Sequence, residues 1–342
     1  MKKILSALLL VVMLAAAMAG CGPAPKESSD NSSSAASTIK AVDNAISTAK
    51  ANDKSGKKLK IGCTVYYMSE FITLMKKGVE DEAKAENADL VFLDANNDVN
   101  KQMSQIENLI AQKVDVLLVA AVDSDAIVPA LDMAKQANIP LVGVNMLINT
   151  KEPYYYAGPN DVQAGELEAK YLCDKIGNKG NIVILDGPIG VSAQLQRKEG
   201  NHNIVDKLPG IKVLAEQPAD WNREKALSMM ENWLETYKGQ INGVIAHNDE
   251  MALGAIQALQ AKGLKDKIPV VGVDAIKDAC KSIKDGVQDM TVFQDAVAEG
   301  SLGVKLAVQV AKGEKPDPMQ QFIEMKSITK DNVDELLTTI YK

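Results

Sequence analysis

The chain has 342 residues, 46% of them hydrophobic and 24% charged, with a formal net charge of −7. That length exceeds one small core and implies two domains. The acidic balance argues against non-specific binding to nucleic acid or to an anionic surface.

In chain order, residues 1–20 read as an export signal. Lys2 and Lys3 make a basic start, 4–18 is an apolar run short for a membrane span, and Ala19-Gly20 is a small-residue exit. Cys21 follows directly. A small pair before Cys resembles the lipobox of bacterial lipoproteins, whose Cys becomes the lipidated N-terminus. Met18 stands where that motif usually has Leu, and ordinary secretory cleavage is the alternative. Residues 21–57, rich in Pro, Ser, Ala and Asn, bury too little apolar surface to fold and read as a lipid-anchored flexible tether. Without Lys2 and Lys3 the balance is 36 basic to 45 acidic residues, or −9. Cys63, Cys173 and Cys280 are odd in number and irregular in spacing, so they suggest buried free thiols rather than a disulfide framework or zinc site.

From residue 58 onward strand and helix patterns alternate. Strands are predicted at 59–65, 89–93, 116–120 and 140–144, with helices at 72–86, 103–112 and 126–137 between them. The pattern breaks near 155–161 and restarts. Helices at 164–176, 193–208 and 223–237 then alternate with strands at 181–185, 213–218 and 244–247. A helix from Glu250 and a strand at 269–273 continue the unit, followed by a short strand at 291–293. Helix 296–312 and strand 322–326 are predicted to cross back, and 330–342 reads as a peripheral helix. Such an order calls for two similar open, doubly wound parallel-sheet lobes joined by a multi-strand hinge. The expected lobes are 58–158 plus 295–324, and 159–294 plus 325–342, with hinges near 158–160, 294–295 and 324–325.

Open α/β sheets place ligands at the carboxyl ends of their strands. The first lobe supplies Tyr66, Tyr67, Ser69, Glu70, Phe71, Asn145 and Met146 there. The second supplies Gln194, Arg197, Trp221, Asn248, Asp274 and Gln294. Amides, one Arg, one carboxylate and aromatic planes suit a neutral polyhydroxylated ligand: carboxylate and amides bond hydroxyls, and flat rings cover C–H faces. Local sequence alone leaves Asn248 and Asp274 equally readable as helix caps.

The segments LDANND (93–98), QPADW (217–221), HNDEMALGAIQAL (247–259) and VVGVDA (270–275) carry a family resemblance. Over 60–326 the chain resembles the ribose/galactose-type periplasmic binding proteins, the ligand receptors of ABC importers, and is most like their ribose-binding branch. The resemblance implies the type I fold of that family, with Phe71 and Trp221 sandwiching a sugar ring. It also implies that Arg197, Asn248, Asp274 and Gln294 bond the hydroxyls, and puts Asn145 after the fourth strand. Tyr67, Ser69, Glu70 and Met146 are further candidate contacts. The family's Asp-Arg pair is here Asn145-Met146, and its Asn-Pro is here Ser69-Glu70. The less charged first lobe extends the expected ligand to a polyol, cyclitol or less hydroxylated pentose. The implied partners are an ABC permease and its ATPase, with the membrane reached through lipidated Cys21 on its outer face. The expected protein is a monomer without cofactor, metal or catalysis.

Rival classes lack parts. A repressor of this fold needs a DNA-binding helix-turn-helix where this chain has an export signal. A receptor presenting ligand to a sensor kinase or chemoreceptor has the same sequence features and stays open. A glycosidase needs two carboxylates in one cleft. LDGPIGVS (185–192) lacks the glycine spacing of a phosphate cradle, and DANND (94–98) lacks the Gly and Glu of a calcium loop. His202 and His247 have no metal-spaced or nucleophile partner.

Overall fold

The computed structural model describes residues 58–341. The export signal, Cys21 and the tether lie outside the described residues. Strands β1 (Lys60–Val65), β2 (Asp89–Asp94), β3 (Val116–Val119), β4 (Leu141–Val144) and β5 (Tyr155–Gly158) enclose α1 (Glu70–Ala85), α2 (Val99–Ala111) and α3 (Val128–Gln136). The plan repeats with α4 (Asp161–Lys175), β6 (Gly180–Asp186), α5 (Ser192–Val205), β7 (Ile211–Pro218), α6 (Arg223–Thr236) and β8 (Ile241–Ala246). It continues through α7 (Asp249–Ala261), β9 (Val270–Asp274), α8 (Lys277–Lys284) and β10 (Met290–Phe293). Helix α9 (Ala296–Ala311), β11 (Gln320–Phe322), β12 (Lys326–Ile328) and α10 (Val333–Thr339) follow.

The strands form two six-stranded sheets of identical order, β2-β1-β3-β4-β5-β11 and β7-β6-β8-β9-β10-β12. Neighbours run parallel except β10 and β12, which are antiparallel. Both faces of each sheet are covered by helices, so central strands read as unbroken apolar runs: β3 is VLLV and β4 is LVGV, buried throughout. Helix α9 belongs with the first sheet, packing against α1, β3, β4 and β5 although it follows β10. The chain passes between sheets three times, at 159–160, 294–295 and 323–325.

Short elements account for the departures from the sequence. Strand β5 lies where the pattern was read as broken, because four residues between Pro153 and Pro159 are too few to show alternation. Helix α8, KDACKSIK, is implied in the sequence only by the reading of Asp274 as a cap; it starts at Lys277 with Ile276 in the cap position, so Asp274 does not cap it, and only Ala279, Cys280 and Ile283 are buried. The single strand expected at 322–326 is two three-residue strands, one in each sheet. Helix α2 begins at Val99, earlier than predicted, since Asp98 caps it by accepting the Lys101 N–H at 3.0 Å. The final helix is only seven residues long. Cys63, Cys173 and Cys280 are buried and unpaired.

Candidate functional site

A cavity holding about 320 Å³ of empty space opens at the carboxyl ends of both sheets. Its lining is Tyr66, Tyr67, Ser69 and Phe71 after β1, Asn145 and Met146 after β4, Ala193 and Arg197 on α5, Trp221 after β7, Asn248 after β8, Asp274 at the end of β9 and Gln294 after β10.

Arg197 is the most heavily bonded of these side chains and is 4% exposed. Its Nε donates to Asp161 Oδ1 at 2.8 Å, one terminal nitrogen to Gln294 Oε1 at 2.7 Å, and the other to the carbonyl of His247. That last nitrogen also lies 4.0 Å from Asp274 Oδ1. Gly165 on α4 makes room for it: a Cβ there would stand 2.2 Å from the Arg197 carbonyl oxygen, so only glycine lets α4 and α5 approach this closely. Burial by itself would lower the guanidinium's pKa, but Asp161, Asp274 and Glu168 outweigh it and hold Arg197 above its ordinary value. Burial raises Asp161 above its ordinary value, with Arg197 opposing. A planar, permanently charged group with four neighbours is thereby fixed before any ligand arrives.

Asp274 ends β9 at φ 112, and Ala275 follows at φ 57. Both angles are rare for residues with a Cβ and store strain, which the surrounding structure must hold. Asp249 does so from the first turn of α7. Its Oδ2 accepts the Ile276 N–H at 3.1 Å and the Thr291 hydroxyl at 2.9 Å, and Thr291 Oγ1 in turn accepts the Ala275 N–H at 3.1 Å. Burial pushes the Asp249 carboxyl up to about 7. It pushes Asp274 well above the carboxylate range too, with Arg197 opposing. Asn248 caps α7 as its position suggests, its Oδ1 accepting the Met251 N–H at 3.0 Å, while the residue also lines the cavity.

Trp221 and Phe71 are 7% and 6% exposed. Asp220 and Trp221 both have φ 56, and the indole lies against Gly187, where a Cβ would come within 2.1 Å of the ring. The guanidinium of Arg197 stands 5.5 Å from the Trp221 ring centroid, a cation–π distance. Tyr66 and Tyr67 pack ring to ring, 5.4 Å apart. Asn145, at φ 62, is held by Tyr156, whose hydroxyl donates to its carbonyl at 2.8 Å. Its Nδ2 donates to Glu299 Oε2 at 2.9 Å. Ser69 caps α1 through its Oγ and reaches the cavity wall.

Eleven of the thirteen strand-end candidates named from sequence line this cavity, and Gln194 and Glu70 do not. Glu70 Oε1 accepts the Lys277 N–H at 3.0 Å, so its carboxylate satisfies the start of α8 across the cleft instead of facing the cavity. Three more bonds cross the cleft rim: Ser124 N–H to Gly190 O at 3.0 Å, Leu147 N–H to Ser192 Oγ at 2.8 Å, and the Ser192 hydroxyl to Met146 Sδ at 3.7 Å. The sheets therefore meet around the cavity in a closed arrangement. Ala193 completes the lining, while Asp161, Asp249 and Glu299 hold it from behind. Asp161 and Asp249 each follow an Asn cap, and only their complete burial distinguishes them from ordinary first-turn acids.

Residues 61–315 match the model of the periplasmic binding protein domain. The chain belongs to the periplasmic binding protein family. Among its relatives, the xylitol-binding protein of Mycolicibacterium smegmatis is 44% identical over 80% of this chain and 78% of its own length. The ribose import binding protein of Bacillus subtilis is 38% identical over 78% of this chain and 86% of its own. Among solved structures, an ABC transporter solute binding protein from Bacillus halodurans with bound myo-inositol superposes with a TM-score of 0.80 at 36% identity. It covers 83% of this chain and 99% of that one. This periplasmic binding protein thus has the type I fold of two parallel-dominated sheets.

Proposed function

We propose that this protein is the substrate-binding component of an ABC importer and captures a neutral monosaccharide, polyol or cyclitol in the cavity, without catalysis. The observation that carries the reading is the Arg197–Asp274 pair, opposite charges 4.0 Å apart, in one small cavity with Phe71, Trp221 and three carboxamides. Such a lining offers donors and acceptors to hydroxyls and no net charge to an ion. Asn145, Arg197, Asn248, Asp274 and Gln294 bond the hydroxyls; Phe71 and Trp221 cover the C–H faces; Tyr67, Ser69 and Met146 shape the first-sheet side. Hydroxyls donating to Asp274 replace the hydration that burial removes. The uncharged Asn145-Met146 pair favours polyols and cyclitols, as do relatives named for xylitol and rhizopine and the neighbour with bound myo-inositol.

The two sheets are the cores of lobes 58–158 plus 295–324 and 159–294 plus 325–342, which close by bending at the three crossings. Ligand touching both lobes favours the closed form by its differential affinity, and the permease, driven by its ATPase, accepts that form. The chain works as a monomer on the outer face of the membrane. Residues 1–20 direct export, and Cys21 carries a diacylglyceryl anchor, with 21–57 as the tether. Cys21→Ala then moves the protein from the membrane fraction to a soluble or unprocessed form; retention of mature, membrane-bound protein rejects the anchor.

A thermal-shift panel of xylitol, myo-inositol, D-ribose, D-allose and glycerol, with the charged sugar D-glucuronate beside them, tests the ligand class. A ligand at 100 times its Kd stabilises the fold by about 2.7 kcal/mol. A panel in which charged sugars raise Tm and neutral ones do not refutes the reading.

A further inference from the structure

Glu299 lies in the first turn of α9, fully buried and outside the cavity lining. Its Oε2 accepts Asn145 Nδ2 at 2.9 Å. A lining residue therefore rests on an acid behind it. The pair also leaves one atom idle on each partner: Asn145 Oδ1 and Glu299 Oε1 are buried without hydrogen-bond partners. A buried amide oxygen in a cavity wall needs a donor, and the protein supplies none.

We propose that Glu299 is a positioning and specificity-determining residue: by holding Asn145 Nδ2 it leaves Asn145 Oδ1 to accept a ligand hydroxyl, and a proton on Glu299 turns that amide over so that Nδ2 is offered instead. The inference rests on the ligand-binding role proposed for the cavity. An ionised carboxylate only accepts, so only the NH₂ end of the amide can face it. A carboxylic acid can donate to Oδ1. The two ends of the amide have nearly the same shape, so the exchange needs little repacking.

The surroundings bring that proton into the working pH range. Burial pushes Glu299 up to about 8, opposed by the bond from Asn145 and by the nearby Gln294 amide; Asp161 raises it further and Arg197 lowers it. Asp274, Tyr66 and Tyr156 also face it, and burial raises each of them well above its ordinary value. Next to it on α9, Gly300 and Gly303 meet only Met75 and Val79 of α1, Leu118 of β3 and Val144 of β4 as their nearest neighbours. Asn145 and Glu299 both pack with the first sheet, so their contact does not depend on closure of the cleft.

One arm of the test needs no ligand. In the ¹⁵N-labelled protein the side-chain amide of Asn145, assigned by its loss in Asn145→Ala, is followed from pH 6 to 10. The expected result is one transition with a midpoint near pH 8, absent in Glu299→Gln. A flat signal in the wild type, or the same transition in Glu299→Gln, overturns the proposal. If Glu299→Gln does not fold, Glu299→Met serves in its place under the same criteria.

The second arm measures calorimetric affinity for xylitol, myo-inositol and D-ribose at pH 6.5 and 9.5. Wild-type affinity for a compound that binds changes about three- to ten-fold between the two, the worth of one rearranged hydrogen bond. Glu299→Gln and Asn145→Ala each lose most of that change. Equal pH profiles in all three proteins overturn the proposal. Failure of every compound to bind counts against the ligand class, while the amide transition still decides the pair.

Discussion

The two sides of the cavity are built differently. The side from the second sheet carries the charges, Arg197 and Asp274, and each is locked by buried partners: Asp161, Gln294 and the His247 carbonyl for one, Asp249 and Thr291 behind the turn of the other. The side from the first sheet shows only uncharged groups, Tyr66, Tyr67, Ser69, Phe71, Asn145 and Met146, and keeps its acid, Glu299, one layer back. Fixed charges in a dry wall bind hydroxyls strongly because their orientation is settled in advance. Neutral groups discriminate by shape and by which end of an amide they present. On the proposed function, the second side supplies affinity, and the first side selects among ligands and completes closure.

The largest test of that contrast is Arg197→Met. It leaves Asp161 and Asp274 buried without their cation, so urea unfolding should show a loss of about 3–5 kcal/mol, with ligand binding abolished. A variant of nearly normal stability would mean that the locked side is not locked by Arg197. Asp274→Ala comes next, with an expected loss of about 2–4 kcal/mol of binding measured by calorimetry and a fold that survives. Asp274→Gly separates strain from function: at φ 112 glycine relieves the backbone, so stability should hold or rise by about 1 kcal/mol while affinity falls as for alanine. Near-normal affinity in either variant would reduce Asp274 to a turn residue.

Smaller effects sharpen the contrast. Trp221→Phe keeps a ring and should cost about 1 kcal/mol of affinity. Trp233, buried on α6, is the internal control: a ligand-induced emission change should persist in Trp233→Phe and vanish in Trp221→Phe, and the reverse would move the ligand elsewhere. The smallest effect belongs to the rim. Glu70→Ala removes the bond to Lys277 that crosses the cleft and should weaken binding by about 0.5–1 kcal/mol. A loss as large as that of Asp274→Ala would return Glu70 to the site itself.

Most of the lining was legible because its signal is local. Apart from Arg197, each lining candidate stands at or just past the end of a strand whose apolar run can be counted, and Asn248 and Trp221 sit in polar punctuation before helices. Glu70 shows the limit of that logic: it has the right position after β1, and only the arrangement of α8 across the cleft turns its carboxylate away. Arg197 lay on a helix with no amphipathic pattern to mark its face. Glu299 is one acid among the small residues of α9 and gave no sign of its burial.

The alternation of strands and helices, the doubling of the fold and the residues delivered to the strand ends follow from the sequence alone, because periodicity and caps act within a few residues of themselves. The partners of those residues do not. Arg197 meets Asp161, His247 and Gln294 across separations of 36, 50 and 97 residues, and Asn145 meets Glu299 across 154. Which charges cancel, which amide end is free and which acid is buried depend on sheets assembled from distant segments, where low dielectric makes each unpaired group costly and so dictates the pairing.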